Sequence, residues 1–550
     1  MPAVVYTVLI FLLSTAVWAT NFYVDNTVST SGDGSFSNPW KTINEALPHL
    51  APGDTLFIRG GSITPQVYNE NLILNGAAGT RENPIVIRAY GSESVEIQYK
   101  DSYVVKFSSG GYVLENLILN HLGGESDAIK IKSSYNVLRN CVIKNGKRDG
   151  IDLGSGDNNL VEHCKIYGFD TGTTADAHGI VLDEGTGNTF QYNEIFDNGG
   201  DCIQIYTGTA RWTVIAYNQL YTTLGGESEN AVDIKSTVGV KLIGNEMFGF
   251  RRSAGSQGNA VVIHHDADSI IMRDNRIYDS NGGIRIGGNA DYQPDYLIIE
   301  RNIVYDLIDE GQYSTDGYGI QFDGLSNVQM YNNTFVNIPG PLFWIDSDGA
   351  ENVDIRNNLF SNTGRIKGGE SLFRGTVVID YNGWFSADER FDSEPHPIIG
   401  TDPMFVNPAA GDFRLAPGSP AIDAGDPAFG TDYPGGRIDL GAIESDAVTG
   451  IEAPKQVIGD FQLLPNYPNP FNPATHIPFV LPRKAPVQLS IYDIHGRLVQ
   501  TLIQGTLEAG KHLVVWNARN SNGKPVPSGV YIYQIRTPFG SLTGQMILMR

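Results

Sequence analysis

The sequence predicts an all-β protein, a long parallel β-solenoid followed by a small β-sandwich. Three observations predict it. An asparagine recurs at intervals of 25 to 31 residues, at Asn193, Asn218, Asn245, Asn275, Asn302, Asn333 and Asn358, and a period of that size marks stacked repeats. An apolar-x-apolar triplet recurs in step with it, as in Ile151-Asp152-Leu153, Ile203-Gln204-Ile205 and Val232-Asp233-Ile234. Beyond residue 460 the pattern changes to alternating strands separated by Gly and Pro turns.

The elements follow in chain order. Residues 4–13, VVYTVLIFLL, lead to Val17-Trp18-Ala19, so residues 1–19 read as a secretory signal peptide, too short to span a bilayer. A Gly-rich turn then leads to a short helix, Thr42 to Leu47, a Pro-Gly-Asp turn and a strand, Leu56 to Arg59. A helix here would cover the open end of the solenoid. The solenoid is expected over 20–447, with 402–442 as its turn-rich closure, a linker at 448–460 and the sandwich at 461–550.

Within each triplet the apolar pair points inward and the middle residue outward, because strand side chains alternate. A small residue precedes each triplet: Ala128, Gly150, Gly179, Cys202, Ala231, Ala260, Gly283 and Gly319. Extended backwards, the asparagine register gives Cys164, Cys141 and Asn116, so these cysteines are expected in an inward ladder. With three cysteines and no CxxC pair, there is neither a disulfide framework nor a thiolate metal motif.

The net charge of −23 argues against nucleic acid as a partner. An acidic substrate stays open, because a bound cation or local basic cluster can reverse the field at one site. Stacking places the triplet middles in one column: Lys130, Asp152, Val181, Gln204, Asp233, Val262 and Arg285. The next outward column runs Lys132, Gly154, Asp183, Tyr206, Lys235, His264 and Gly287. Asp149, His178, Asp201, Glu229 and Asn230 lie just before the triplets.

Uronic-acid polysaccharides are cleaved by β-elimination, which needs the C5 carboxylate neutralised, a base for the C5 proton and a proton for the leaving oxygen. Lys235 is the candidate base. Asp201, Glu229 and Asp233 are the candidate ligands for Ca²⁺. Tyr206 or His264 relays or donates the proton, and Arg285 clamps a carboxylate. The rival readings are a glycosidase built on Asp201 or on paired Asp152 and Asp183, and a non-catalytic glycan-binding adhesin. The chain is expected to act as a monomer on an acidic polysaccharide.

The repeat resembles the pectin-lyase-like superfamily, which implies a right-handed parallel β-helix. Lys235-Ser236, His264-His265 and Gly283-Ile284-Arg285-Ile286 resemble the chondroitinase-B and alginate-lyase group, which implies a lyase. His264 stands where that group has an Arg. The tail resembles the C-terminal sorting domain of the type nine (Por) secretion system, related to an immunoglobulin-like domain. The resemblance is carried by Asn466-Tyr467-Pro468-Asn469-Pro470-Phe471-Asn472-Pro473, Tyr492-Asp493-Ile494-His495-Gly496-Arg497 and Pro527-Ser528-Gly529-Val530-Tyr531-Ile532-Tyr533. It implies export across the outer membrane of a Gram-negative bacterium through that machinery.

Overall fold

The chain divides into two compact units, Met1–Val448 and Thr449–Arg550. The computed structural model describes residues 19–445 apart from 171, 173–175, 225–227, 253–255, 288–292 and 431–432. In the tail it describes residues 462–463, 466, 471, 474–481, 485–493, 497–507, 510–521, 523–537 and 540–548. The predicted signal peptide (but for residue 19) and the predicted linker lie outside the described residues.

Three parallel sheets surround one apolar lumen in the first unit. The first sheet has 14 strands, from Asn21–Val24 to Phe373–Asp380. The second has 12, from Leu72–Leu74 to Ile366–Lys367, and the third has 14, from Gln66–Tyr68 to Ile398–Gly400. The helix at the open end is shorter than expected, Ile43–Ala46. Thr42 caps it and Glu45 reaches back to complete a capping box, and Leu47–His49 tightens into a 3₁₀ turn around Pro48.

The triplets form the second sheet in the expected register. Lys130 pairs with Asp152, Asp152 with Val181, Val181 with Gln204, Gln204 with Asp233, Asp233 with Val262 and Val262 with Arg285. The small-residue slot has a steric cause: a Cβ on Gly283 would lie 2.3 Å from the Gly319 carbonyl oxygen of the next coil.

The asparagine column is a continuous hydrogen-bond ladder. Asn245 Oδ1 accepts from the backbone and side-chain N–H groups of Asn218, both at 3.0 Å. Its own amide nitrogen donates to Ile215 O at 2.8 Å and to Asn275 Oδ1 at 3.0 Å. The ladder starts where Cys164 N–H donates to Asn193 Oδ1 (2.9 Å) and ends where Asn382 N–H donates to Glu394 Oε1 (2.6 Å). Every buried amide thus has partners one coil up and one coil down. A second, shorter ladder, Asn136–Asn159–Asn188, runs along another corner; its three members fall outside the register traced in the sequence.

Cys141 and Cys164 occupy adjacent coils of the main column and are buried. Asn116 does not join them. Val142 pairs with Ile118, so the column position is Leu117, and Asn116 sits at the preceding corner with a left-handed backbone (φ 60°). Asparagine suits either place, which is why the register slipped by one.

The second unit is an antiparallel pair of sheets. One holds Gln462–Leu463, Thr475–Leu481 and Gly510–Trp516; the other holds Leu498–Leu507, Ala485–Asp493, Gly529–Thr537 and Gly540–Leu548. Trp516, Ile477, Phe479, Leu489 and Ile535 fill its core.

Replacing Asn275 with Leu orphans the buried Asn245 N–H and removes one donor from the Leu242 carbonyl. We expect Asn275→Leu to lower unfolding stability by about 1–3 kcal/mol per group orphaned, measured by urea denaturation of the full chain.

Candidate functional site

The outer face of the second sheet carries two clusters of ionisable side chains. Three strands build the first: Ile203–Arg211, Val232–Ile234 and Asn259–His264. Lys235 Nζ sits 4.8 Å from the centre of the Tyr206 ring and 3.6 Å from Asp233 Oδ2. Asp233 Oδ1 lies 2.8 Å from His264 Nε2, yet both atoms are buried without a well-aligned hydrogen bond. The sheet therefore brings Tyr206, Lys235, Asp233 and His264 together. Tyr206 is the exposed member, at 54%.

The middle-column residues were expected at the solvent. Asp152, Val181, Gln204, Asp233 and Val262 are instead buried, because each is sandwiched by its neighbours one coil away, about 4.8 Å. The outward direction is right, but the neighbouring coils enclose even carboxylate oxygens such as Asp152 Oδ1 and Asp233 Oδ1.

Arg285 stands apart. It pairs with Val262 and Gln321, two coils from Asp233. Its charge acts on Asp323 and Tyr318, and its Nε is buried without a partner.

Asp201, Glu229 and Asp233 do not form the expected cation site. They fail to bring three donor oxygens within 4.8 Å of one another. Asp201 is fully buried and accepts from Asn230 Nδ2 (2.8 Å) and Gln204 Nε2 (3.0 Å). Burial, then the Asp233 charge, pushes its carboxyl well above the usual range. The same burial removes Asp201 as a glycosidase acid, since it cannot touch a sugar.

Asp201 N–H donates to His178 Nδ1 at 2.9 Å. That imidazole is thus an acceptor at Nδ1, and burial pushes its pKa down, so it is neutral at pH 7. His178 N–H donates in turn to Asp149 Oδ1 at 2.8 Å, linking the first cluster to the second.

The second cluster is a trio that sequence reasoning did not assemble. Asp127, Asp149 and Asp152 each place an oxygen within 4.8 Å of the other two. Burial, then the charges of Asp152 and Asp149, pushes Asp127 up to about 7. Asp152 Oδ1 is buried with no hydrogen-bond partner. The Lys130 ammonium contacts Asp152 Oδ2. Burial works against the Lys130 charge, but the contact with Asp152 and the nearby acids outweigh it and raise its pKa. The available signal was Asp149-x-x-Asp152 one coil after Asp127. Its meaning depends on the backbone turn before each triplet, which periodicity does not describe.

Crowded carboxylates with an orphaned oxygen suit a hard divalent cation, which takes oxygen ligands and removes the repulsion that raises Asp127. Asp183, the partner suggested for Asp152 in the glycosidase reading, is half-buried and raised first by burial and then by Asp152.

Residues 22–249 match the family model described as Pel9A-like, right handed beta helix region, and residues 214–360 match a right handed beta helix region. The solenoid is a right-handed parallel β-helix, and its first part is similar to the Pel9A-like family. Residues 472–537 match the FlgD Ig-like domain. Pectate lyase PEL9 of Emericella nidulans is 24% identical over 246 residues, 40% of this chain and 57% of that protein. Pectate lyase L of Paenibacillus polymyxa is 24% identical over 382 residues, 60% of this chain and 79% of that protein. The chain thus spans little more than half the length of the first of these relatives. Among solved structures, pectate lyase Pel9A is 15% identical with a TM-score of 0.41, covering 78% of this chain and 96% of that one.

Glu229 gives the first cluster a pH dependence. Burial, then the Asp201 and Asp176 charges, raises it to about 7, against about 4.3 unfolded. Between those values the folded chain holds a proton that the unfolded chain releases. The stabilisation is complete below the unfolded value and lost as pH rises through about 7. Thermal melts should show Glu229→Gln matching the parent near pH 4 and exceeding it at pH 8, by on the order of a few degrees.

Proposed function

We propose that this chain is a secreted polysaccharide lyase that cleaves a uronic-acid-containing polysaccharide by β-elimination. The observation that carries the reading is the Tyr206–Lys235–Asp233–His264 group, seated on the same sheet face as the three-carboxylate cluster. The curated relatives named pectate lyases support the reaction class.

In the reaction the C5–H bond breaks, its electrons form the C4–C5 double bond, and the C4–O bond to the leaving sugar breaks. The Lys235 amine, in its unprotonated form, takes the C5 proton. Asp233 lies between Lys235 and His264, so it orients the amine and gives the proton a route to the imidazole. The Tyr206 hydroxyl lies on the exposed side of the group and donates to the leaving oxygen.

Asp127, Asp149 and Asp152 are the residues that would hold a cation, which when bound supplies positive charge to a substrate carboxylate. The trio lies three coils from Asp233, about 14 Å at 4.8 Å per coil. A cation held there would bind a carboxylate further along the polymer rather than that of the sugar Lys235 deprotonates. In the coil after the trio, the His178 backbone N–H donates to Asp149 Oδ1 and so helps to hold that carboxylate.

The tail motifs, with the FlgD Ig-like match, support a sorting domain read by type nine secretion machinery.

Incubation with polyuronates should raise near-ultraviolet absorbance through the new double bond. A hydrolase would release reducing ends without it, and an adhesin would do neither. Lys235→Ala should lower turnover at least 100-fold with an unchanged circular dichroism spectrum; near-parental turnover in the folded variant would remove Lys235 from the reaction.

Calcium at pH 8 should raise the melting temperature by on the order of a few degrees. Asp152→Asn should abolish that rise. An unchanged response in the variant would place any bound cation elsewhere.

A further inference from the structure

We propose that the first sheet carries a second carbohydrate site, a non-catalytic groove for a neutral glycan chain. Its argument is independent of the lyase reading, because it lies on a different sheet and uses none of the residues above.

The groove holds about 450 Å³ and opens along the solenoid axis. One edge is the corner column Trp212, Gly239, Ser269, Tyr296, Asn327 and Asn352, one residue per coil. All six have left-handed backbones, with φ between 52° and 80°. The corner takes a left-handed residue in every coil, and a bulky ring is a costly choice for that position, so Trp212 and Tyr296 call for a reason beyond the turn itself. On another corner the rings are compensated internally: His163, Tyr192 and Tyr217 stack at 5.1 and 5.2 Å along their own column. Trp212 and Tyr296 have no ring neighbour among the described residues and are 56% and 60% exposed.

The two rings are separated by the smallest residues of the column. The Trp212 ring leans onto Gly239, where an added Cβ would lie 2.2 Å from Cε3, so only glycine admits it. With the Trp212 ring lying over Gly239, the small Ser269 leaves a recess between that ring and Tyr296, whose backbones stand three coils apart, about 14 Å. Beside the recess, Ile271 and Ile298 pair in register as a half-exposed apolar floor. Further along, Gln329 and Thr376 offer exposed polar groups.

This lining has the chemistry of sugar recognition. Exposed rings and an apolar floor suit the C–H faces of pyranose rings, and amide and hydroxyl groups at the rim suit their hydroxyls. The lining includes only two charged side chains, Lys241 and Asp354. Asp354 is held by Tyr331 and Arg356, both at 2.6 Å. Lys241 is then the one cation of the lining, too little counter-charge for a polyuronate that carries a carboxylate on every sugar, on a chain of net charge −23. The ligand class is therefore a neutral oligosaccharide, bound lengthwise, which would tether the protein to a mixed polysaccharide matrix.

The test is calorimetric titration and native affinity electrophoresis of the full chain. The probes are neutral gluco-, galacto-, xylo- and arabino-oligosaccharides, with oligouronates as the charged comparison. At least one neutral probe should bind, and Trp212→Ala and Tyr296→Ala should each weaken it at least tenfold. Ser269→Trp, which fills the recess at a backbone conformation Trp212 already adopts, should block it as well. All three should retain the parental melting profile and the parental rate on a short oligouronate. The proposal is overturned if no neutral probe binds, if binding survives Trp212→Ala and Tyr296→Ala unchanged, or if these variants lose only oligouronate binding. A parent that binds neutral glycan but cleaves no polyuronate would refute the lyase reading and leave this site standing.

Discussion

The buried asparagine ladder is the constraint on which the rest depends. A solenoid of parallel coils has no intrinsic register, since every coil offers the next a similar row of apolar side chains. The ladder removes that freedom. Each amide between Asn193 and Asn382 bonds both to backbone and to the amide of the next coil, so a slip of one residue would strand polar groups in the lumen. Stacked rings on the third sheet report the same fixed pitch, with Phe196, Tyr221, Phe248 and Tyr278 following one another at 4.9 Å.

Fixed pitch turns sequence periodicity into surface chemistry. Residues 25 to 31 apart become neighbours, and ionisable groups that look scattered along the chain stand side by side. The second sheet uses this twice: once to seat Lys235 over Tyr206 and beside Asp233, and once to crowd Asp127, Asp149 and Asp152. Burial then differentiates the acids. Asp201 is enclosed and bonded by amides, and burial pushes its carboxyl well above the usual range. Glu229 and Asp127 both titrate at about 7. These upward shifts lessen the negative charge that the face presents to an acidic polymer.

The corners answer to a different rule. At each turn between sheets the backbone takes a left-handed residue, for which glycine and asparagine cost least. Where the chain places tryptophan or tyrosine there instead, the ring is thrown outward. Along one corner the rings stack on each other; along the other they stand alone around a recess.

The sequence by itself determined the solenoid, the triplet register and the meeting of Tyr206, Lys235, Asp233 and His264, because strand alternation and repeat length are one-dimensional properties. It determined the sandwich at the tail for the same reason. It did not determine which carboxylates converge. Asp201, Glu229 and Asp233 share a neighbourhood in the alignment of coils, yet the turn before each triplet aims their oxygens apart and buries Asp201. The same turn brings Asp127, Asp149 and Asp152 together. Nor could it place Asn116, whose side chain serves a corner as readily as a ladder, or show Arg285 set beside Val262 and Gln321, two coils from Asp233. Those outcomes depend on backbone direction at the corners and on enclosure by neighbouring coils, and both arise only when the chain is closed in three dimensions.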